Sequence, residues 1–169
     1  MIPSDQFVRF YNEVFKFIDA QGPEELEKYY ARVSKNQEYH CLKLFTEQKL
    51  EGMYKYWEHI RVEENCDMVN HLSDDCYSFE MLSCPSLSKA VDNDAGPCPK
   101  YCNHCPGWIL PLMTKAGVFA VYNLIDRRTP RCEMFVYLTR DKAEAKRAEL
   151  IAKYGDDVIL TNYDREHAR

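Results

Sequence analysis

The sequence predicts an α+β domain, with an N-terminal helical layer followed by a small antiparallel sheet of two hairpins with crossing helices. Three observations predict it. Apolar residues recur at helical spacing through positions 1–65. From Cys66 the apolar period shortens to two, the signature of half-buried strands. The chain of 169 residues, 46% hydrophobic and 29% charged, suffices for one sizeable core and about one domain. The reading is therefore a single domain over 1–169, helical over 1–65 and α+β over 66–169, with a cysteine-rich segment at 84–106.

The elements follow in order. Ser4 can cap a first helix in which Phe7, Phe10, Tyr11, Val14 and Ile18 recur at helical spacing, with Gly22 as its stop. Pro23 with Glu24 and Glu25 opens a second helix, because proline needs no donor there and the acids suit the helix dipole. Its inner face is Leu26, Tyr29, Tyr30 and Val33. A third helix carries Leu42, Phe45, Met53, Trp57 and Ile60 inward and ends near Glu64 and Asn65. Strands over 66–72 and 76–83 flank the turn Ser73-Asp74-Asp75, with Tyr77, Phe79 and Met81 on one face. A second hairpin joins 118–125 to 131–138 through the turn at 126–130, and Cys132, Met134, Val136 and Leu138 alternate. Asp141 and Glu144 resemble a capping box opening a last helix through Ala145, Ala148 and Ile151, closed by Gly155.

Composition narrows the function. A net charge of −5 argues against a nucleic-acid binder, and acids interleave the basic cluster at 140–147. The start MIPSDQFVRF has no basic region leading into an apolar one, so no signal peptide is expected. Apolar runs fall far short of the ~18 residues of a membrane span. The expectation is a cytoplasmic protein with no membrane and no nucleic-acid partner, acting on a small molecule. Only 6 glycines are present, and there is no phosphate loop, G-x-S-x-G or H-E-x-x-H.

The 8 cysteines are the strongest chemical signal. In a reducing compartment they are thiols or metal ligands rather than a disulfide framework. Cys98, Cys102 and Cys105 have the spacing C-x3-C-x2-C, which in a helix puts three sulfurs on one face, and Cys84 can supply a fourth. Converging soft thiolates suit zinc or, alternatively, an iron–sulfur cluster. The same spacing matches the cluster motif of radical S-adenosylmethionine enzymes, but too little chain follows Cys105 for their barrel. His104 sits between two of the cysteines as a ligand or a proton shuttle beside a thiolate. Cys132, opening a strand, can replace Cys84 as a ligand or act as a nucleophile. His40, His59 and His71 are expected to be structural, and the tail residue His167 is assigned no role.

The run Tyr101-Cys102-Asn103-His104-Cys105, the following helix at 108–117 and the strand Pro130-Arg131-Cys132-Glu133-Met134-Phe135 carry a family resemblance. The order of elements resembles bacterial cytosolic proteins related to L-2-amino-thiazoline-4-carboxylic acid hydrolase. These in turn resemble the small-molecule-binding domains named after 4-vinyl reductase. The resemblance covers about a third of the chain, mainly 84–138, and implies an α+β ligand-binding fold that hydrolyses a small cyclic or amide-like substrate. Two functions follow as expectations. One is a small-molecule hydrolase with a thiolate-bound metal or an activated cysteine, with Cys98, Cys102 and Cys105 as ligands and His104 or Cys132 as the catalytic group beside the open position. The other is a non-catalytic binding or sensing domain, in which Cys84, Cys98, Cys102 and Cys105 close a structural zinc or iron–sulfur site.

Overall fold

A computed structural model describes residues 3–22 and 24–164 of the chain. Helix α1 (Pro3–Asp19) is followed by α2 (Glu25–Gln37), a π turn (Glu38–Leu42) and α3 (Lys43–Glu63). The predicted hairpins are present as β1 (Asp67–Leu72) with β2 (Cys76–Ser83), and β3 (Phe119–Asn123) with β4 (Cys132–Tyr137). Between them lie α4 (Pro85–Val91) and α5 (His104–Ala116), and the chain ends on α6 (Arg140–Tyr154) and a short β5 (Ile159–Thr161). The fold is α+β, as the sequence predicts.

The two hairpins join into one antiparallel sheet of order β1-β2-β4-β3-β5 because β2 pairs with β4, with Tyr77 opposite Val136 and Met81 opposite Cys132. Side chains directly opposite one another share a face, so Tyr77, Phe79, Met134, Val136, Ala120 and Tyr122 form one apolar surface. Helices α3 and α5 pack on it, and the Trp57 ring lies 5.8 Å from Tyr77 and 6.0 Å from Phe79. Helix α6 packs against β3 and β4. Helices α1, α2 and α4 build a second core around Val8, Phe15, Leu26, Tyr30, Leu87 and Ala90, outside α5.

Several local expectations are corrected. Helix α1 begins at Pro3, so Ser4 lies within its first turn rather than at its cap, and Pro23 lies outside the described residues. The face of α1 that packs inward is Val8, Asn12 and Phe15, while the stripe Phe7, Phe10, Tyr11 and Val14 is exposed. Asn12 is fully buried because its amide serves the backbone: its Oδ1 accepts from Cys98 N at 2.7 Å and its Nδ2 donates to Gly96 O at 2.8 Å. Helix α3 is kinked at Lys49 (φ 50°, ψ −125°), whose ammonium donates to the Ala116 carbonyl at the end of α5. The expected capping box of α6 is replaced by Thr139 at the N-cap with no side-chain cap bond. The helix turns Ala143 and Leu150 inward and leaves Ala145 and Ala148 exposed.

Candidate functional site: an aromatic pocket ending on four cysteines

The cysteine segment is not one helix. Cys98 lies in irregular backbone just before a turn, its carbonyl accepting from Tyr101 N at 2.9 Å, Cys102 in a 3-10 turn (Tyr101–Asn103) and Cys105 in the first turn of α5. The C-x3-C-x2-C face therefore does not form, and the three sulfurs divide. Cys98 is buried in the second core with Val8, Leu26 and Tyr101, held there by the Asn12 bond to its backbone. Cys102 and Cys105 turn the other way, toward the sheet.

Two other cysteines meet them. The backbone N–H of Cys84 donates to the Pro130 carbonyl at 2.6 Å, tying the end of β2 to the chain entering β4. Cys84 is the N-cap of α4, its sulfur accepting from Leu87 N at 3.4 Å. Strand alternation puts Cys132 on the sheet face beneath α5, with Met134 and Val136. Cys84, Cys102, Cys105 and Cys132 thus line one cavity of about 30 Å³. All four are free thiols. Burial pushes the Cys84 thiol up to about 11 and those of Cys102 and Cys105 to about 12, with each thiolate further disfavoured by its neighbours. Burial likewise raises Cys132 well above its ordinary value. Among the described residues, no three His, Cys, Asp or Glu side chains lie close enough together to hold a metal ion as they stand.

His104 touches this group with a defined tautomer. Its Nδ1 lies 2.6 Å from the Tyr101 carbonyl, which can only accept, so Nδ1 carries the proton. Its Nε2 is left as an acceptor for the Cys105 thiol at 3.2 Å. Burial lowers the His104 pKa, so the imidazole is neutral. Tyr122 closes the far side with its hydroxyl 3.4 Å from Cys132 Sγ.

The small cavity shares Cys84, Tyr101, His104, Cys105 and Tyr122 with a larger one of about 480 Å³. That volume is in the range of ligand pockets. Its wall is aromatic, with Tyr30, Tyr56, Trp57, Phe79 and Trp108 among its residues, and Glu64 and Ser86 add polar groups. Burial raises the Glu64 carboxyl toward its neutral form. The Tyr30 hydroxyl is buried with no hydrogen-bond partner. Such a group is costly to leave unmade, by about 1–3 kcal/mol, and although Tyr30 lines the pocket its hydroxyl oxygen is closed off from it.

The structure therefore brings together Cys84, Cys102, Cys105, His104 and Cys132 and sets Cys98 apart. Of the pocket's aromatic residues, Tyr30 and Trp57 read as ordinary inner-face positions, and nothing in their periodicity separates a pocket wall from a core. No family model, curated protein or solved structure matches the chain. Among the described residues no helix is long and apolar enough to cross a membrane.

Proposed function

We propose that this chain is a small-molecule-binding domain whose aromatic pocket ends on a soft-metal thiolate centre formed by Cys84, Cys102, Cys105 and Cys132. The observation that carries this reading is the shared wall: an aromatic cavity of ligand size opens onto the place where four cysteines meet. The donor set is all sulfur, which suits zinc, and the small cavity is ion-sized rather than cluster-sized. Binding would require side-chain rotation and release of the thiol protons. Four protein sulfurs would leave no open position, so the metal would fasten β2, β4 and α5 together rather than activate water.

The pocket chemistry supports a neutral, planar ligand. Its walls are aromatic, its histidine is neutral and its carboxylate is pushed toward neutrality. A hydrolase remains the second reading, and the Cys105–His104 contact favours it, because Nε2 is placed to take the thiol proton. It is the weaker of the two, since no cation facing Cys105 lowers its pKa and burial drives it upward.

The test uses the tryptophans. The chain has 2, Trp57 and Trp108, and both line the pocket. Titration with 4-nitrobenzamide, a neutral planar quencher with a carbonyl acceptor, is expected to quench their fluorescence saturably. Tyr56→Ala, which removes one aromatic wall of the pocket, is expected to weaken the affinity by up to roughly tenfold. Quenching that stays linear in the quencher and is unaltered in Tyr56→Ala would refute the binding reading.

A further inference from the structure

Helix α1 carries an apolar face that the fold does not cover. Phe7 is 56%, Phe10 63%, Val14 40% and Phe17 68% exposed, while Val8, Asn12 and Phe15 on the opposite side are buried. At 100° per residue the exposed four form one stripe, flanked by Tyr11. The charged residues of the helix, Asp5, Arg9, Glu13, Lys16 and Asp19, lie off the stripe. Exposed apolar stripes of this length mark interaction sites.

The spacing of the stripe identifies what it fits. The intervals from Phe7 to Phe10, Val14 and Phe17 are three, four and three, the same from either end. A second copy running antiparallel about a two-fold axis level with Asn12 would lay Phe7 on the partner's Phe17 and Phe10 on the partner's Val14. That is the self-complementarity an isologous dimer requires. A lipid surface is a poorer fit: the helix has three acids to two bases, and the chain is net −5. Helices that lie in membranes bear Lys and Arg along their polar face.

We propose that the exposed face of α1 is a two-fold self-association surface and that the second copy covers the rim of the aromatic pocket. Tyr11 makes the connection, because it borders the stripe, is 49% exposed and also lines the pocket with Phe15. The stripe offers on the order of 500 Å² per chain, taking aromatic side chains at ~200 Å² each. That lies below the ~800 Å² per partner of a standard stable interface. The dimer is therefore weak, and its population depends on protein concentration.

Sedimentation equilibrium between about 1 and 200 µM tests it, paired with acrylamide quenching of Trp57 and Trp108, which needs no pocket ligand and so fails or succeeds independently of the binding reading. The weight-average mass is expected to climb from 19.9 kDa toward twice that value. Over the same range the quenching constant should fall about twofold, as mass action fills the dimer. Phe10→Glu/Phe17→Glu, with Phe7→Ser/Phe17→Ser as a milder second pair, alters only exposed side chains. Both pairs should stay monomeric, with native circular dichroism and a constant quenching response. A native chain that remains monomeric throughout overturns the proposal, as does a variant that dimerises equally well. Dimerisation with unchanged quenching removes the pocket rim from the interface.

Discussion

Gly107 shows how one residue positions the site. It lies in α5 two residues after Cys105, and a Cβ placed on it would stand 2.7–2.9 Å from Cδ2, Cγ and Cβ of Tyr30. These are the root of the tyrosine rather than a flexible end, so the ring can yield only if α2 moves. Alanine ordinarily favours a helix over glycine by about 1 kcal/mol. Here the clash should win. Gly107→Ala is expected to destabilise the fold by about 1–3 kcal/mol, the range for overpacking, in a urea denaturation midpoint. An unchanged or raised midpoint would mean that α2 and α5 are not packed this closely. The sequence shows a glycine at this position but cannot show what approaches it. The same limit applies to Cys98: its spacing to Cys102 and Cys105 is visible, while the Asn12 contact that turns its segment toward α1 spans 86 positions.

At the scale of elements, α3 is tied to the β1–β2 hairpin through polar groups as well as through Trp57. Glu58 accepts from Arg61 Nε at 2.9 Å and from Asn70 Nδ2 at 2.9 Å, and Asn70 Oδ1 accepts from the Tyr77 hydroxyl at 2.8 Å. These donors hold the Glu58 carboxyl below its ordinary 4.5. A carboxyl depressed on folding stabilises the native state above its unfolded value, and that contribution is lost as pH falls through the lowered one. Glu58→Gln should therefore melt below the native chain at pH 7, with the gap closing under pH 4.5. A gap that is constant from pH 7 to 3 would show that the charge is not what matters. The hairpins and helices were legible because period-two and helical patterns are local. Which face of α1 turns inward was not, since its exposed stripe is more apolar than its buried one and only the packing of α2 and α4 decides between them.

For the molecule as a whole, one antiparallel sheet brings distant cysteines to one point. Pairing of β2 with β4 sets Cys84 near Cys132, and α5 crossing the same face delivers Cys102 and Cys105. The sequence showed four thiols in a short segment and left Cys84 and Cys132 competing for one position. In the fold both reach the cavity and Cys98 is the one displaced, because strand pairing is non-local while cysteine spacing is not. The aromatic pocket beside them was visible only as 13% aromatic content. Phe79, Trp108 and Tyr122 line the pocket, whereas Tyr77 is in the core and Phe119 and Phe135 do not line it.

The proposed four-cysteine centre is tested most directly by cobalt(II) added to the reduced, anaerobic chain, because its visible absorption reports tetrahedral sulfur coordination. The native chain and Cys98→Ser should give the same thiolate spectrum at one cobalt per chain. Cys84→Ser, Cys102→Ser, Cys105→Ser and Cys132→Ser should each weaken or abolish it. A spectrum lost in Cys98→Ser and retained in Cys132→Ser would contradict the account.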